Sequence, residues 1–403
     1  MEDAAQFDRG RIAGGVVSAV AIKGWCPGAL RPMRSGDGLL VRIRPYGGRL
    51  DARQAMRIAE LAHRYGNGLI DLTSRANFQI RGVSDDGHLP LVQELSRLNL
   101  IDDDPESEAR RNSLVTPFWR MDDETSALAA ELEQALIASS LDLPGKFGFA
   151  VDCVEERALA DASADIRIER DENGELIVRA DGAERGRVVT RAVAIEAALA
   201  LSAWFVKTGG ARAGRGRMAA HLAAGAQLPT ELCGDARPAH AMPMPTPGFY
   251  PQGVLVGVAF GQLTYTALAA LAGSAGGVRL TPWRMILAEG AHELPRCDGL
   301  VTRAADPLLR VVACSGAPAC REAHADTRAL AAALAPRLPA DARLHVSGCA
   351  KGCAQAGAAS ITLVATRDGF DVIRNGTTRD MPALRGLSGA AIVANPNVLM
   401  EGP

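Results

Sequence analysis

The sequence predicts an α+β fold in which a β-α-β-β module occurs twice, the copies joined about a pseudo-twofold, with a larger α/β domain after each. Three observations lead there. Leu39 to Val83 carries strand and helix signals in the order β-α-β-β, and Gly253 to Leu287 repeats that order about 210 residues later. Near the C-terminus, four cysteines in two pairs each follow a buried strand signal.

In the first copy, Leu39 to Ile43 reads as a strand and Asp51 opens a helix whose apolar positions Met56, Ile58, Ala59, Leu61 and Ala62 recur at helical spacing. Gly66 to Gly68 ends that helix before the strands Leu69 to Leu72 and Asn77 to Val83, joined by the turn Thr73-Ser74-Arg75-Ala76. VRLTPWRMIL in the second copy reproduces IDLTSRANFQI in the first. Two such units can bury faces that neither buries alone.

Between the copies, helices are expected over Leu89 to Leu98, Thr125 to Ser139 and Ala192 to Phe205, with a hairpin formed by Ala164 to Arg170 and Glu175 to Gly182. Pro238 to Pro251 reads as a proline-rich linker. The expected divisions are a lead-in (1–24), an arm with the first module (25–88), an α/β domain (89–247), the second module (248–293) and a cysteine-bearing domain (294–403).

Composition narrows the function classes. A formal net charge of -2 and a pI near 6.4 give no global reason to expect nucleic acid or an anionic membrane as partner. The acidic start lacks a secretory pattern and no apolar run reaches the length of a membrane span, so a cytoplasmic protein is expected. TGGARAGRGRMAAHL (Thr208 to Leu222) is glycine-rich and basic, but lacks the G-x-G-x-x-G spacing of a dinucleotide site. Electrons are therefore expected from a separate donor, a reductase using NADH or a similar carrier.

Cys314 and Cys320 form a C-x5-C pair, and Cys349 and Cys353 a C-x3-C pair. Four thiolates on two loops suit zinc or an iron-sulfur cluster. The wide arc through Ser315, Gly316, Ala317 and Pro318 favours a [4Fe-4S] cluster over a zinc knuckle, whose cysteine pairs sit on tighter turns. Cys26, Cys153, Cys233 and Cys297 are isolated, and Cys26 stands out for its glycine- and proline-rich setting. Cationic residues fall at predicted strand ends and loops: Arg31 and Arg34 in the arm, Arg75, Arg81, Arg110, Arg111 beside Asn112, Lys146 and Arg284. Converging guanidinium groups would suit a ligand with many carboxylates, such as a tetrapyrrole.

The paired cysteines beside a duplicated β-α-β-β unit resemble the nitrite and sulfite reductase family from about Trp25 to Thr377. The resemblance implies ferredoxin-like half-modules joined about a pseudo-twofold, plus two α/β domains of the sirohaem and Fe-S type. It also implies that the basic residue after L-T, the R-N pair and an R-K-x-K motif after L-P hold tetrapyrrole carboxylates and an oxyanion. Those positions are Arg75, Arg111 with Asn112, and Leu143 to Gly148, where only Lys146 remains between Gly145 and Gly148. Part of the cationic cradle for sulfite or nitrite is therefore missing.

GWCPGALRPMRSGDGLLVRIRP, the TPWR of Thr281 to Arg284, and GCAKGC (Gly348 to Cys353) resemble the branch of that family that makes precorrin-3B in aerobic cobalamin biosynthesis. This implies an O2-dependent monooxygenase that hydroxylates C20 of precorrin-3A while the ring A acetate closes to a γ-lactone. It further implies a [4Fe-4S] cluster, with Cys353 nearest the macrocycle, and a mononuclear non-haem iron. Sirohaem would be present only if the protein were instead a sulfite or nitrite reductase. None of the seven histidines forms an i, i+4 pair, so no ligand set for the mononuclear iron is legible.

Overall fold

The computed structural model describes residues 27–400; the expected lead-in (1–24) and Cys26 lie outside the described residues. The chain runs as two successive pairs, each a small module followed by a larger sheet. The first module contains β1 (Met33–Ser35), β2 (Gly38–Ile43), β3 (Arg49–Asp51), α1 (Ala52–Tyr65), β4 (Leu69–Leu72), β5 (Phe78–Val83) and α2 (Asp85–Arg97). The α/β unit after it comprises α3 (Pro105–Arg110), β6 (Ser113–Val115), α4 (Thr125–Ala138), β7 (Phe149–Asp152), β8 (Ile166–Arg170), β9 (Leu176–Ala180), β10 (Arg187–Val188), α5 (Ala194–Lys207) and α6 (Met218–Ala223).

The second module has β11 (Gly248–Tyr250), β12 (Gly253–Val258), β13 (Gln262–Thr264), α7 (Tyr265–Ser274), β14 (Gly277–Leu280), β15 (Met285–Glu289) and the short β16 (Leu300–Val301). The last unit has β17 (Val311–Ala313), α8 (Thr327–Leu334), β18 (Leu344–Ser347), β19 (Ala359–Thr366), β20 (Gly369–Gly376), β21 (Leu384–Leu387) and α9 (Gly389–Ala394).

The modules are joined by reciprocal exchange of a strand. One sheet runs β1-β2-β5-β4-β13 and the other β11-β12-β15-β14-β3, so each borrows its last strand from the other copy. The borrowed strands enter antiparallel, with Leu263 opposite Ile70 and Leu50 opposite Val278. Each exchanged strand ends in the cap of its helix: the Asp51 carboxylate accepts from the Gln54 N–H, and the Thr264 hydroxyl accepts from the Ala267 N–H. α1 and α7 bury Ile58, Leu61, Leu268 and Leu271 in one core that spans both modules. That is the α+β architecture with a pseudo-twofold that the repeat predicts.

The two larger sheets share one topology. β6, β7 and β8 run parallel and are continued by antiparallel β9 and β10; β17, β18 and β19 run parallel and are continued by antiparallel β20 and β21.

Local expectations shift in three places. The helix expected from Leu89 begins at Asp85, because the Ser84 hydroxyl caps it by accepting from the Gly87 N–H and Pro90 is tolerated in its first turns. The linker over Pro238 to Pro251 contains β11, an edge strand that pairs with β12 as β1 pairs with β2. The strand signal before Cys314, the apolar run Leu308 to Ala313, yields a strand only over Val311–Ala313, because Pro307–Arg310 forms a 3-10 turn capped by Asp306.

Candidate functional site

The cysteine loops leave the C-terminal ends of adjacent parallel strands, β17 and β18. The Cys314 N–H donates to the Val346 carbonyl (3.3 Å), and the Gly348 N–H donates to the Cys314 sulfur at 3.1 Å, tying one loop to the other. The His324 N–H donates to the Gly348 carbonyl and the Thr327 hydroxyl to the Cys314 carbonyl, anchoring the first loop to β18 and α8. Gly316 sits at φ 66°, where a Cβ would lie 2.8 Å from the Thr327 nitrogen. In the second loop Gly352 sits at φ 62°, and a Cβ there would lie 2.7 Å from the Thr378 hydroxyl, which itself donates to the Ala350 carbonyl.

The four sulfurs lie within electrostatic reach of one another. Burial pushes the Cys349 thiol up, and Cys320 and Cys314 add to the rise against a hydrogen bond from the Lys351 N–H. Burial also raises Cys353, and Cys349, Cys314 and Cys320 raise it further. Four bare thiolates would therefore not coexist here without a positive charge among them. An iron core of an Fe-S cluster is such a charge, and the donor set fits it. Among the described residues no group of three or more His, Cys, Asp or Glu side chains, the four cysteines included, is already arranged to hold a metal ion, and no ligand set for a mononuclear iron is found.

Buried arginines surround the first cysteine loop. Arg81, on β5, is 2 % exposed and pairs with Asp71 (2.6 Å) and Asp37 (2.9 Å). It also donates to the Ser315 hydroxyl (3.2 Å) and the Ala319 carbonyl (3.3 Å). Burial works against its charge, but Asp71 and Asp37 prevail and its pKa is raised. Burial holds Arg328 down despite Asp71, with Arg81 opposing it as a like charge. Arg284 is also lowered, by burial and then by Arg328, and donates to the Ala354 carbonyl at 2.8 Å, just past Cys353. His345 on β18 is fully buried with neither ring nitrogen hydrogen-bonded, and burial and then Arg284 hold its pKa at about 4, so it is neutral at pH 7.

A second group forms at the other end of the first large sheet. Arg75 donates to the Lys146 carbonyl at 2.8 Å, and the Asn112 amide to the Phe147 carbonyl at 2.6 Å. Gly148 lies between them, where a Cβ would sit 3.2 Å from the Asn112 amide nitrogen and 3.3 Å from an Arg75 guanidinium nitrogen. Arg75, Asn112 and Lys146 are thus together, with Lys146 exposed.

The other expected residues lie apart from that group. Arg111 is 3 % exposed, forks onto Asp102 through Nε (2.9 Å) and Nη2 (2.8 Å), and stacks on the Tyr46 ring at 3.8 Å. Burial and then the Asp102 hydrogen bond push the Tyr46 phenol up to about 12. Arg34 pairs with Asp85 at the exposed surface, and Arg31 is exposed with its carbonyl accepting from the Gly28 N–H. Arg110 donates to the Ile137 carbonyl. In the glycine-rich run, Asp165 accepts from the Met218 N–H (2.7 Å) and from Arg217 (2.9 Å), filling the place a phosphate would need. Sequence reasoning overlooked Asp37, Asp71 and Arg328. One acid on β4, Asp71, opposite the strand bearing Arg81 was the available signal for that pair, whereas Asp37 and Arg328 lie on other elements.

No helix among the described residues is long and apolar enough to cross a membrane. The family model for the nitrite/sulfite reductase ferredoxin-like half domain matches residues 31–98. A precorrin-3B synthase of Sinorhizobium sp is 28% identical over 400 residues, covering 90% of this chain and 84% of the relative. The NirA protein of Mycobacterium tuberculosis is a structural neighbour with a TM-score of 0.58 and 18% identity, over 89% of this chain and 79% of that one. It shares the fold.

Proposed function

We propose that the protein is a monooxygenase of aerobic cobalamin biosynthesis, a precorrin-3B synthase, which hydroxylates C20 of precorrin-3A as the ring A acetate closes to a lactone. The likeness to a precorrin-3B synthase along nine-tenths of the chain supports this reading. Gly148 is the observation that carries it against sulfite or nitrite reduction. Glycine supplies no cation for an oxyanion there, and a Cβ would press on Asn112 at 3.2 Å and Arg75 at 3.3 Å.

Cys314, Cys320, Cys349 and Cys353 would hold a [4Fe-4S] cluster, which supplies electrons one at a time. Insertion of one oxygen from O2 takes two electrons and two protons from outside the substrate, and the second oxygen leaves as water. The electrons would come from a separate donor, in keeping with Asp165 accepting from the Met218 N–H at the helix start of the glycine-rich run. The chain's own work is to bind and orient. Arg75 and Lys146 would take macrocycle carboxylates, with Asn112 fixing the backbone at Phe147, next to Lys146. Arg284, held beside Ala354, would bring a cationic edge next to Cys353. Arg111 would act through Tyr46 and Asp102, whose pairing with it leaves little of its fork for a ligand. Arg31 and Arg34, in the arm, would form the outer rim.

Metal and pigment analysis of anaerobically purified protein tests the reading. About four irons and four sulfides per chain, any additional iron, and no extractable tetrapyrrole are expected. Stoichiometric sirohaem would overturn it in favour of the reductase.

A further inference from the structure

The two modules carry the same ion pair with its partners exchanged. β4 and β5 are in register at Leu72 opposite Phe78, and β14 and β15 at Leu280 opposite Ile286. That alignment places Arg279 where the first copy has Asp71, and Glu289 where it has Arg81. Both pairs close at 2.6 Å. If the pair served only to neutralise buried charge, its orientation would decide nothing further. Yet in both copies it is the guanidinium that crosses to the loop after the first strand of the opposite large sheet. Arg81 donates to Ser315 and Ala319 after β17. Arg279 donates to the Pro117 carbonyl (2.9 Å) and the Trp119 carbonyl (2.6 Å) after β6, and stacks on the Trp119 ring at 3.7 Å.

We infer that Arg81 is a positioning residue for the cysteine site: it pins the Cys314–Cys320 loop from the first module and sets the spacing of that thiol pair before any metal binds. The pin is shared with the β1 hairpin. The Ser35 hydroxyl donates to the Ala319 carbonyl at 2.7 Å and the Gly36 N–H to the same oxygen at 3.0 Å, so Ala319 is gripped by three donors. Cys349 and Cys353 lie on a loop Arg81 does not touch, and their spacing is set by Gly352 and Thr378. The Cys314–Cys320 loop is therefore gripped from the first module in addition to its own domain, whereas the Cys349–Cys353 loop is held by its own domain and, at Ala354, by Arg284 of the second module. This inference rests on the iron-sulfur reading only for its consequence in the loaded protein.

The test starts with metal-free protein. Iodoacetamide labelling is followed by peptide mass spectrometry, with the exposed Cys233 as internal standard. Arg81→Gln is expected to speed labelling of Cys314 and Cys320 about tenfold, as loss of charge-assisted bonds opens the loop, while Cys349 and Cys353 keep their rates. Arg81→Lys should fall between, and Ser315→Ala, which removes a contact without orphaning a buried carboxylate, should give about threefold. If Arg81→Gln does not fold, the other two variants decide. Unchanged labelling of Cys314 and Cys320 in folded variants, or an equal rise at all four cysteines, would overturn the inference. Anaerobic reconstitution then reads the consequence: faster iron loss to a chelator in the variants supports the pin. A wild-type protein that takes up no iron would sink the cluster reading and leave the labelling result standing.

Discussion

The two large sheets repeat one topology but only one bears the cysteine pairs. The Thr116 N–H donates to the Val151 carbonyl as the Cys314 N–H donates to the Val346 carbonyl, so Thr116 stands where Cys314 does. By the same register Asp152 stands at Ser347 and Cys153 at Gly348. At the opposite end, the Asn112 amide reaching the Phe147 carbonyl is matched by Arg310 reaching the Ala342 carbonyl. The scaffold, with its entry and exit bonds, is common to both. The loops after the first two strands differ, and only those of the second sheet bring four cysteines together. Cys153 shows what a lone cysteine does in this setting. It is buried, its thiol faces the Ile168 carbonyl, and burial raises its pKa, so it behaves as a small core side chain.

A set of substitutions sharpens this contrast. Cys349→Ser should abolish iron binding, whereas Cys153→Ala should leave iron content unchanged; iron and sulfide assays on both decide whether the chemistry is confined to one domain. Asp102→Ala should cost about 3–5 kcal/mol in denaturant unfolding, because it leaves the buried Arg111 charge unpaired.

Asp152 gives a pH signature that the second sheet, with Ser347, cannot give. Burial raises its pKa from 3.8 to about 7, against hydrogen bonds from Leu159 and Thr116. The folded protein therefore holds this proton more tightly than the unfolded chain, and stability falls as pH rises from about 4 to 7. Asp152→Asn should match wild type near pH 4 and exceed it above pH 7 by up to about 4 kcal/mol, read by urea midpoints across that range. Gly148→Ala should cost about 1 kcal/mol or less, since Asn112 and Arg75 must yield only a few tenths of an ångström. A comparable loss at Gly145, which faces open space, would contradict this packing account.

Much of the fold was legible because its signals are local. The L-T turn, the caps at Asp51 and Thr264 and the spacing of the four cysteines lie within a few residues of the structure they encode. The strand exchange was not legible, because β3 (RLD) and β13 (QLT) are too short to show a period of two and pair with partners far along the chain. The shared topology of the large sheets was hidden by connections of different length. Arg75, Asn112 and Lys146 lie near one another, joined through the Lys146 and Phe147 carbonyls. Arg111 shows the limit of reading residue type alone. The aspartate it binds, Asp102, stands nine positions earlier in an acidic stretch with no periodicity to mark a partner.

The proposed function makes a carboxylate-rich macrocycle the substrate and O2 the oxidant. Incubating the reconstituted protein with precorrin-3A, a reductant system and 18O2 measures it most directly. The account predicts a product gaining one oxygen atom, labelled from the gas and located at C20. A product without the label, or turnover of sulfite or nitrite with precorrin-3A left untouched, would contradict it.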